Sequence, residues 1–222
     1  MMDENTDQFA ANAEQAEYWN ALIGPKWVQL QAEIDQRLEP LNAMLTGRAG
    51  LAAGHEVIDV GCGTGDLALH LAQLVGPSGA VLGVDLSAPM LAAAERRRAE
   101  RGHGHLQFKQ VDAQTHAFER AGYDCILSRF GVMFFSDPVA AFCNLLRPLR
   151  ASGRLAFVCW APIEKNPWFE IPMAAGARWL GPVEPQPPRA PAPVRSAIRP
   201  PRRPRRASGC SRPRPMGSRD SS

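Results

Sequence analysis

Between Val57 and Ala72 the chain reads VIDVGCGTGDLALHLA, an apolar strand that ends at Asp59, followed by glycines at 61, 63 and 65 and then a helical pattern. Glycine has no Cβ, so such a loop turns tightly and lets the main chain touch a ligand. It also sets free backbone N–H groups and a helix amino terminus beside that ligand, and a carboxylate would suit this end. A second run, VLGVDLSAPML over 81–91, closes a strand on Asp85. It stands about twenty residues beyond the last glycine, where an acid can accept both hydroxyls of a ribose. Met90, at the start of the next helix, is placed to lie on an adenine face. The dinucleotide fingerprint GxGxxG is built for a pyrophosphate, whereas the order here is GxGxG preceded by Asp59.

These residues need strands to aim them and helices to cover the strands. Short, nearly continuous apolar runs predict strands over Glu56–Val60, Ala80–Asp85, Leu106–Asp112, Tyr123–Ser128 and Arg154–Trp160. Helical patterns lie between them over Gly65–Leu74, Met90–Arg101 and Pro138–Leu149. Strands of this composition, alternating with helices, predict an α/β fold with a doubly wound, mostly parallel sheet buried on both faces. In the first helix Leu67, Leu71 and Leu74 share a face. Pro77-Ser78-Gly79 and Ser152-Gly153 read as turns into the second and fifth strands. Ahead of the sheet, apolar residues at three- and four-residue spacing from about Asp7 to Leu45 predict helices broken at Gly24-Pro25.

The order and content of these segments resemble class I S-adenosylmethionine-dependent methyltransferases. VIDVGCGTG resembles the family's first motif. QVDAQT over 110–115 resembles the segment in which a side chain and the next backbone N–H hold adenine. YDCILSRFGVMFF over 123–135 resembles the fourth strand and its loop. LLRPLRASGRLAFVCW over 145–160 resembles the following helix, turn and fifth strand, with Ala151-Ser152-Gly153 where the family has Pro-Gly-Gly. GTGDL with a serine at the fourth strand end is similar to the ubiquinone and menaquinone biosynthesis branch and its small-molecule relatives. The resemblance implies S-adenosyl-L-methionine as cofactor, held by Gly61, Gly63, Thr64, Asp85, Asp112, Ala113 and Ser128. It also implies an aromatic cover at Tyr18, Trp19 and Asn20. No spacing fixes a catalytic base, and positioning supplies most of the rate of methyl transfer from a sulfonium.

The chain holds 222 residues, 45% of them hydrophobic and 21% charged, with net charge +3. From Pro182 to Ser222 there are ten arginines, no lysine and two acids, a local charge of +8 that leaves the remainder at −5. The basic character therefore belongs to the tail, and no nucleic-acid partner is expected for the folded part. The start, MMDENTDQ, carries no basic segment followed by an apolar run, and nothing approaches the roughly 20 apolar residues of a membrane span, so a cytoplasmic location is expected. Five cysteines without a CxxC pair predict reduced thiols and no metal. His103 and His105 lack further ligands, and Cys62 is expected to pack inside the glycine loop.

The sequence thus divides into an N-terminal helical cap (1–46), a cofactor-binding domain (47–181) and a disordered Pro/Arg-rich tail (182–222). A full domain of the resembled family carries two more strands in an antiparallel edge hairpin. Proline every few residues beyond Gly181 cannot supply them, so the sheet is expected to lack its last two strands. An out-of-frame GC-rich gene, with the frame lost near 182–195, would yield this composition, as would a natural disordered tail. The expected activity is methyl transfer to a small-molecule acceptor. The rival readings are a non-catalytic remnant acting through its basic tail and an NAD-dependent oxidoreductase.

Overall fold

Successive side chains on a strand face opposite ways, and in the computed structural model, which describes residues 9–119, 121–162 and 165–180, both faces of the central strands are buried. The strands are β1 (Glu56–Val60), β2 (Ala80–Asp85), β3 (Leu106–Gln110), β4 (Tyr123–Arg129) and β5 (Leu149–Val158). They lie in the order β3-β2-β1-β4-β5, every pair parallel. The order reverses beside β1, and open sheets of this kind bind ligands at the carboxyl ends of the strands flanking that reversal. This is the doubly wound Rossmann-like sheet that the apolar runs predict.

Among the described residues seven α-helices accompany the strands: α1 (Ala13–Glu17), α2 (Gly24–Gln29), α3 (Gln31–Ala49), α4 (Asp66–Val75), α5 (Ala88–Arg101), α6 (Pro138–Leu146) and α7 (Pro167–Leu180). Val57 of β1 joins Leu67, Leu71 and Val75 of α4 and Leu45 and Ala49 of α3 in one core. Its neighbour Ile58 turns the other way, to Val132, Phe135, and Ala141 and Leu145 of α6. Full burial of each large aliphatic side chain contributes roughly 1.5–3 kcal/mol, so the sheet is held from both sides. On α4 the buried stripe ends on Val75. Leu74, expected on the same face as Leu67 and Leu71, is instead 43% exposed.

Several other boundaries differ from the sequence reading: α5 begins at Ala88 ahead of Met90, α6 ends at Leu146 short of Leu149, and β5 ends at Val158 short of Trp160. The break expected at Gly24-Pro25 falls at Ile23, and a second follows at Leu30. Pro25 sits in the first turn of α2, where its missing N–H is no loss. A Cβ on Gly24 would collide with the Trp19 carbonyl oxygen, so only glycine lets α2 leave the preceding turn. α3 continues beyond Leu45 to Ala49, where Gly50 ends it at φ +63°. β3 stops at Gln110, two residues short of Asp112. β5 begins at Leu149, not at Arg154. Its pairing jumps from Tyr123↔Leu149 to Cys125↔Arg154, so the expected Ser152-Gly153 turn survives as a bulge inside the strand.

Among the described residues no helix is long and apolar enough to cross a membrane. The Pro/Arg-rich tail, its frame and the last two strands of the sheet concern residues outside those described.

Candidate functional site

A cavity of about 550 Å³ opens over the carboxyl ends of the strands, with the N-terminal helices as its roof. That volume lies within the range of small-molecule sites. Its floor is the glycine loop. The backbone N–H groups of Gly61 and Cys62 both donate to the Val84 carbonyl, at 2.8 and 3.1 Å, which locks the loop to β2. Gly61 stands at φ +70°, and a Cβ there would lie 2.6 Å from Gly131 Cα, so the loop and the chain after β4 touch backbone to backbone.

Asp85 sits where β2 ends. One carboxylate oxygen accepts from Gly63 N–H and the other from Ser87 N–H, both at 2.8 Å. Burial raises its pKa, and the N–H groups of Ser87, Gly63 and Leu86 oppose that rise. Each oxygen keeps a lone pair for a hydroxyl donor, the requirement for holding a ribose. Asp85, Gly61, Gly63, Thr64, Asp112 and Ala113 all line the cavity. Thr64 is buried, and its carbonyl accepts from Arg97 at 2.7 Å. Met90 is also in the wall, and its methyl would meet a Cβ placed on Gly63.

Asp112 is 2% exposed and closes the pocket from the β3 side. One oxygen accepts from Gln114 N–H at 2.8 Å and the other from the Asn12 side-chain amide at 2.8 Å. Asn12 in turn accepts from Ser136 N–H at 2.8 Å. This buried asparagine therefore ties the start of the chain to two loops of the sheet. No local pattern marks it in the sequence.

Ser128 does not join the wall. Its hydroxyl donates to the Val60 carbonyl at 2.7 Å and accepts from Gly131 and Val132 N–H at 3.2 Å each. With these partners it shapes the loop after β4 and lies behind the cavity lining, where the other expected cofactor contacts stand. Of the expected aromatic cover, Trp19 lines the cavity and Tyr18 meets its ring edge-on at 5.6 Å. Asn20 donates to the Leu86 carbonyl at 3.0 Å and accepts from Ala88 N–H at 2.9 Å, fastening the roof directly after Asp85. Residues 18–22 form a π-helical turn, a rare form that recurs at functional positions.

Asp59 is the functional group that the sequence reading left without a role. It lines the cavity at 1% exposure, and neither carboxylate oxygen is in a well-formed hydrogen bond. Burial pushes its pKa up to about 7, with Asp85 and Asp66 adding to the rise, while Arg129 and, weakly, the Ala68 backbone N–H oppose it. The signal was present: Asp59 is the acid two residues before Gly61. Arg129 also lines the cavity and is committed to Asp66 at 2.7 Å and Asn42 at 2.9 Å. Arg97 joins Asp35 at 2.8 Å, so ionic contacts run from α3 through α4 and α5 to the glycine loop. Burial drives the Cys62 thiol well above its usual range, so it stays protonated and serves as packing.

These residues fit the amino-acid and sugar ends of a nucleoside cofactor. A loop that a Cβ would fill accommodates a close-lying ligand, and a buried carboxylate without a partner is costly until it meets a cation.

Comparison with known proteins agrees with this geometry. Residues 57–153 match the family model described as a methyltransferase domain. Together with the five-stranded parallel sheet, the match gives residues 57–153 the likeness of a methyltransferase domain with a Rossmann-like fold. Among individual proteins it resembles the ubiquinone/menaquinone biosynthesis C-methyltransferase UbiE of Cellvibrio japonicus, at 40% identity over 108 residues, 48% of this chain and 43% of that protein. The chain therefore spans less than half the length of that relative. Phosphoethanolamine N-methyltransferase 2 of Haemonchus contortus, solved with S-adenosyl-L-methionine, is 28% identical with a TM-score of 0.50, over 53% of this chain and 27% of that one. An S-adenosyl-L-methionine-dependent methyltransferase structure from Methanococcus maripaludis shares the fold at 22% identity and TM-score 0.56, over 68% and 74% of the two chains.

Proposed function

We propose that this protein transfers a methyl group from S-adenosylmethionine to a carbon, oxygen or nitrogen atom of a small-molecule acceptor. One observation carries the reading: the buried carboxylate of Asp59, which is in no well-formed hydrogen bond, and the loop-braced carboxylate of Asp85 face a single cavity. Asp59 is suited to an ammonium group, Asp85 to the ribose hydroxyls, and Asp112 with the Ala113 backbone to adenine. Gly61 and Gly63 let the main chain approach the methionine portion, and Thr64 closes that end. Bound here, S-adenosylmethionine would supply an electrophilic methyl group to the acceptor, and the proton that the acceptor gives up would pass to solvent. The chain's contribution is orientation and the exclusion of water beneath Trp19 and Phe134. No histidine lines the cavity among the described residues, so the reading assigns no general base. The name of the C. japonicus relative supports a quinone-like ring as the first acceptor to assay.

The test is calorimetric titration with S-adenosylhomocysteine, followed by mass spectrometry of acceptor mixtures incubated with S-adenosylmethionine. Saturable binding and a 14-dalton gain on an acceptor are expected, the mass of one CH₂ exchanged for hydrogen. Folded protein that ignores S-adenosylhomocysteine but binds NADH would overturn the reading.

A further inference from the structure

We infer that the acceptor is a flat aromatic molecule bearing an anionic group, its ring seated on Phe130 and Trp160 and its charge met by Arg37. The inference rests on the methyltransferase reading and adds the class of substrate. Phe130 carries the first observation. It follows β4 directly and stands at φ +66°, a left-handed backbone that a bulky side chain adopts only when its surroundings impose it, at a cost of about 1–3 kcal/mol. Its N–H donates to the Val158 carbonyl at 2.9 Å. The result of that strain is a ring stacked on Trp160, with centroids 4.7 Å apart and planes within 8°. Both rings line the cavity. A stacked pair offers a planar face, and aromatic guests gain roughly 0.5–1.5 kcal/mol from such contacts beyond the area they bury.

The second observation is charge. Arg37 projects from α3, the roof helix, into the cavity lining. It is exposed, and among the described residues it makes no hydrogen bond or ion pair. The other lining cation, Arg129, is held by Asp66 and Asn42. The three lining carboxylates, Asp59, Asp85 and Asp112, come from the ends of β1 and β2 and the segment after β3. The roof and the loop after β4 contribute mainly aromatic and aliphatic side chains to the wall, with Asn12 beside them and Arg37 as their one charge among the described residues, while Arg129 comes from the end of β4. An uncommitted guanidinium beside an aromatic wall selects a planar acid, since its fork matches a carboxylate.

The probes are 2-naphthoate, its neutral analogue 2-naphthamide, and cyclohexanecarboxylate, which keeps the charge without the ring. Each is titrated calorimetrically into the full chain, alone and with saturating S-adenosylhomocysteine. Naphthoate is expected to bind about fivefold tighter than the amide, as befits a solvent-exposed ion pair. Arg37→Gln should erase that gap while leaving amide affinity unchanged. Trp160→Leu should weaken both naphthyl probes about fivefold and leave cyclohexanecarboxylate unaffected. Far-ultraviolet dichroism and melting temperature confirm that both variants fold. Equal affinity for acid and amide, a gap that survives Arg37→Gln, naphthoate no tighter than cyclohexanecarboxylate, or no binding of any probe would each overturn the assignment. Failure of S-adenosylhomocysteine alone strikes the cofactor reading instead, because the probe preferences are also measured without it.

Discussion

Asn12 and Asp112, a hundred residues apart in sequence, share a 2.8 Å hydrogen bond inside the molecule. The bond fixes the turn at Ala10–Asn12 to the segment after β3, beside the expected adenine position. Asn12→Ala would leave one Asp112 oxygen and the Ser136 N–H without the partner they have now. A loss of about 1–3 kcal/mol in denaturant unfolding is expected, with faster amide exchange concentrated in residues 10–22. Unchanged exchange there would show that the roof is held by other contacts.

Asp85 has two tasks, bracing Gly63 and facing the cavity. Asp85→Ala is expected to weaken S-adenosylhomocysteine binding about 100-fold, the equivalent of two lost charge-assisted hydrogen bonds. Calorimetry measures this directly, and a loss under threefold would remove the ribose from its proposed place.

Asp59 makes the empty protein sensitive to pH. Its folded-state pKa of about 7 lies above the ordinary 3.8, so within that window the folded protein keeps a proton that the unfolded chain has released. Stability then falls as pH rises from about 4 to 7, by up to roughly 4 kcal/mol from this group. Asp59→Asn should flatten that slope in urea unfolding measured across the window. S-adenosylhomocysteine, whose ammonium favours the ionised carboxylate, should bind wild-type protein more tightly as pH rises through 7, and the variant should lose that dependence.

Gly61→Ala combines a left-handed backbone at φ +70° with a Cβ set 2.6 Å from Gly131 Cα. Neither backbone can yield cheaply. A destabilisation of about 2–4 kcal/mol is expected, together with loss of S-adenosylhomocysteine binding, as read by thermal melting with and without the ligand.

Ser128→Ala separates a structural serine from a ligand contact. Three backbone partners lose their hydroxyl, so stability should drop by about 1–3 kcal/mol while cofactor affinity changes less than it does in Asp85→Ala.

What the sequence disclosed is what local pattern encodes. β1 and β2 begin and end at the residues that their apolar runs indicate, because each run is bounded by a glycine-rich turn or loop. The glycines, Thr64, Asp85, Asp112 and Ala113 meet in one cavity because they lie at the ends of consecutive strands, and parallel pairing aligns those ends. Ser128 shares that position but points its hydroxyl at Val60, and no spacing rule reveals which way a strand-end side chain is used. β5 started earlier than the turn residues implied because a bulge absorbs them. Asn12, Arg37 and the Phe130–Trp160 stack were illegible, since each acquires its meaning only from groups distant in sequence or from a backbone angle that no composition records.

The cavity lies between roof and sheet, so whatever fills it adds contacts between two parts of the chain that also meet through Leu45 and Ala49 of α3 and through polar stitches such as Asn12 and Asn20. Mass action then makes occupancy a determinant of lifetime: a ligand at 100 times its Kd adds about 2.7 kcal/mol to the unfolding free energy. When metabolite supply falls, more molecules open and become available to proteases. Nutrient state would thereby govern how much of this protein a cell retains, with no change in its synthesis.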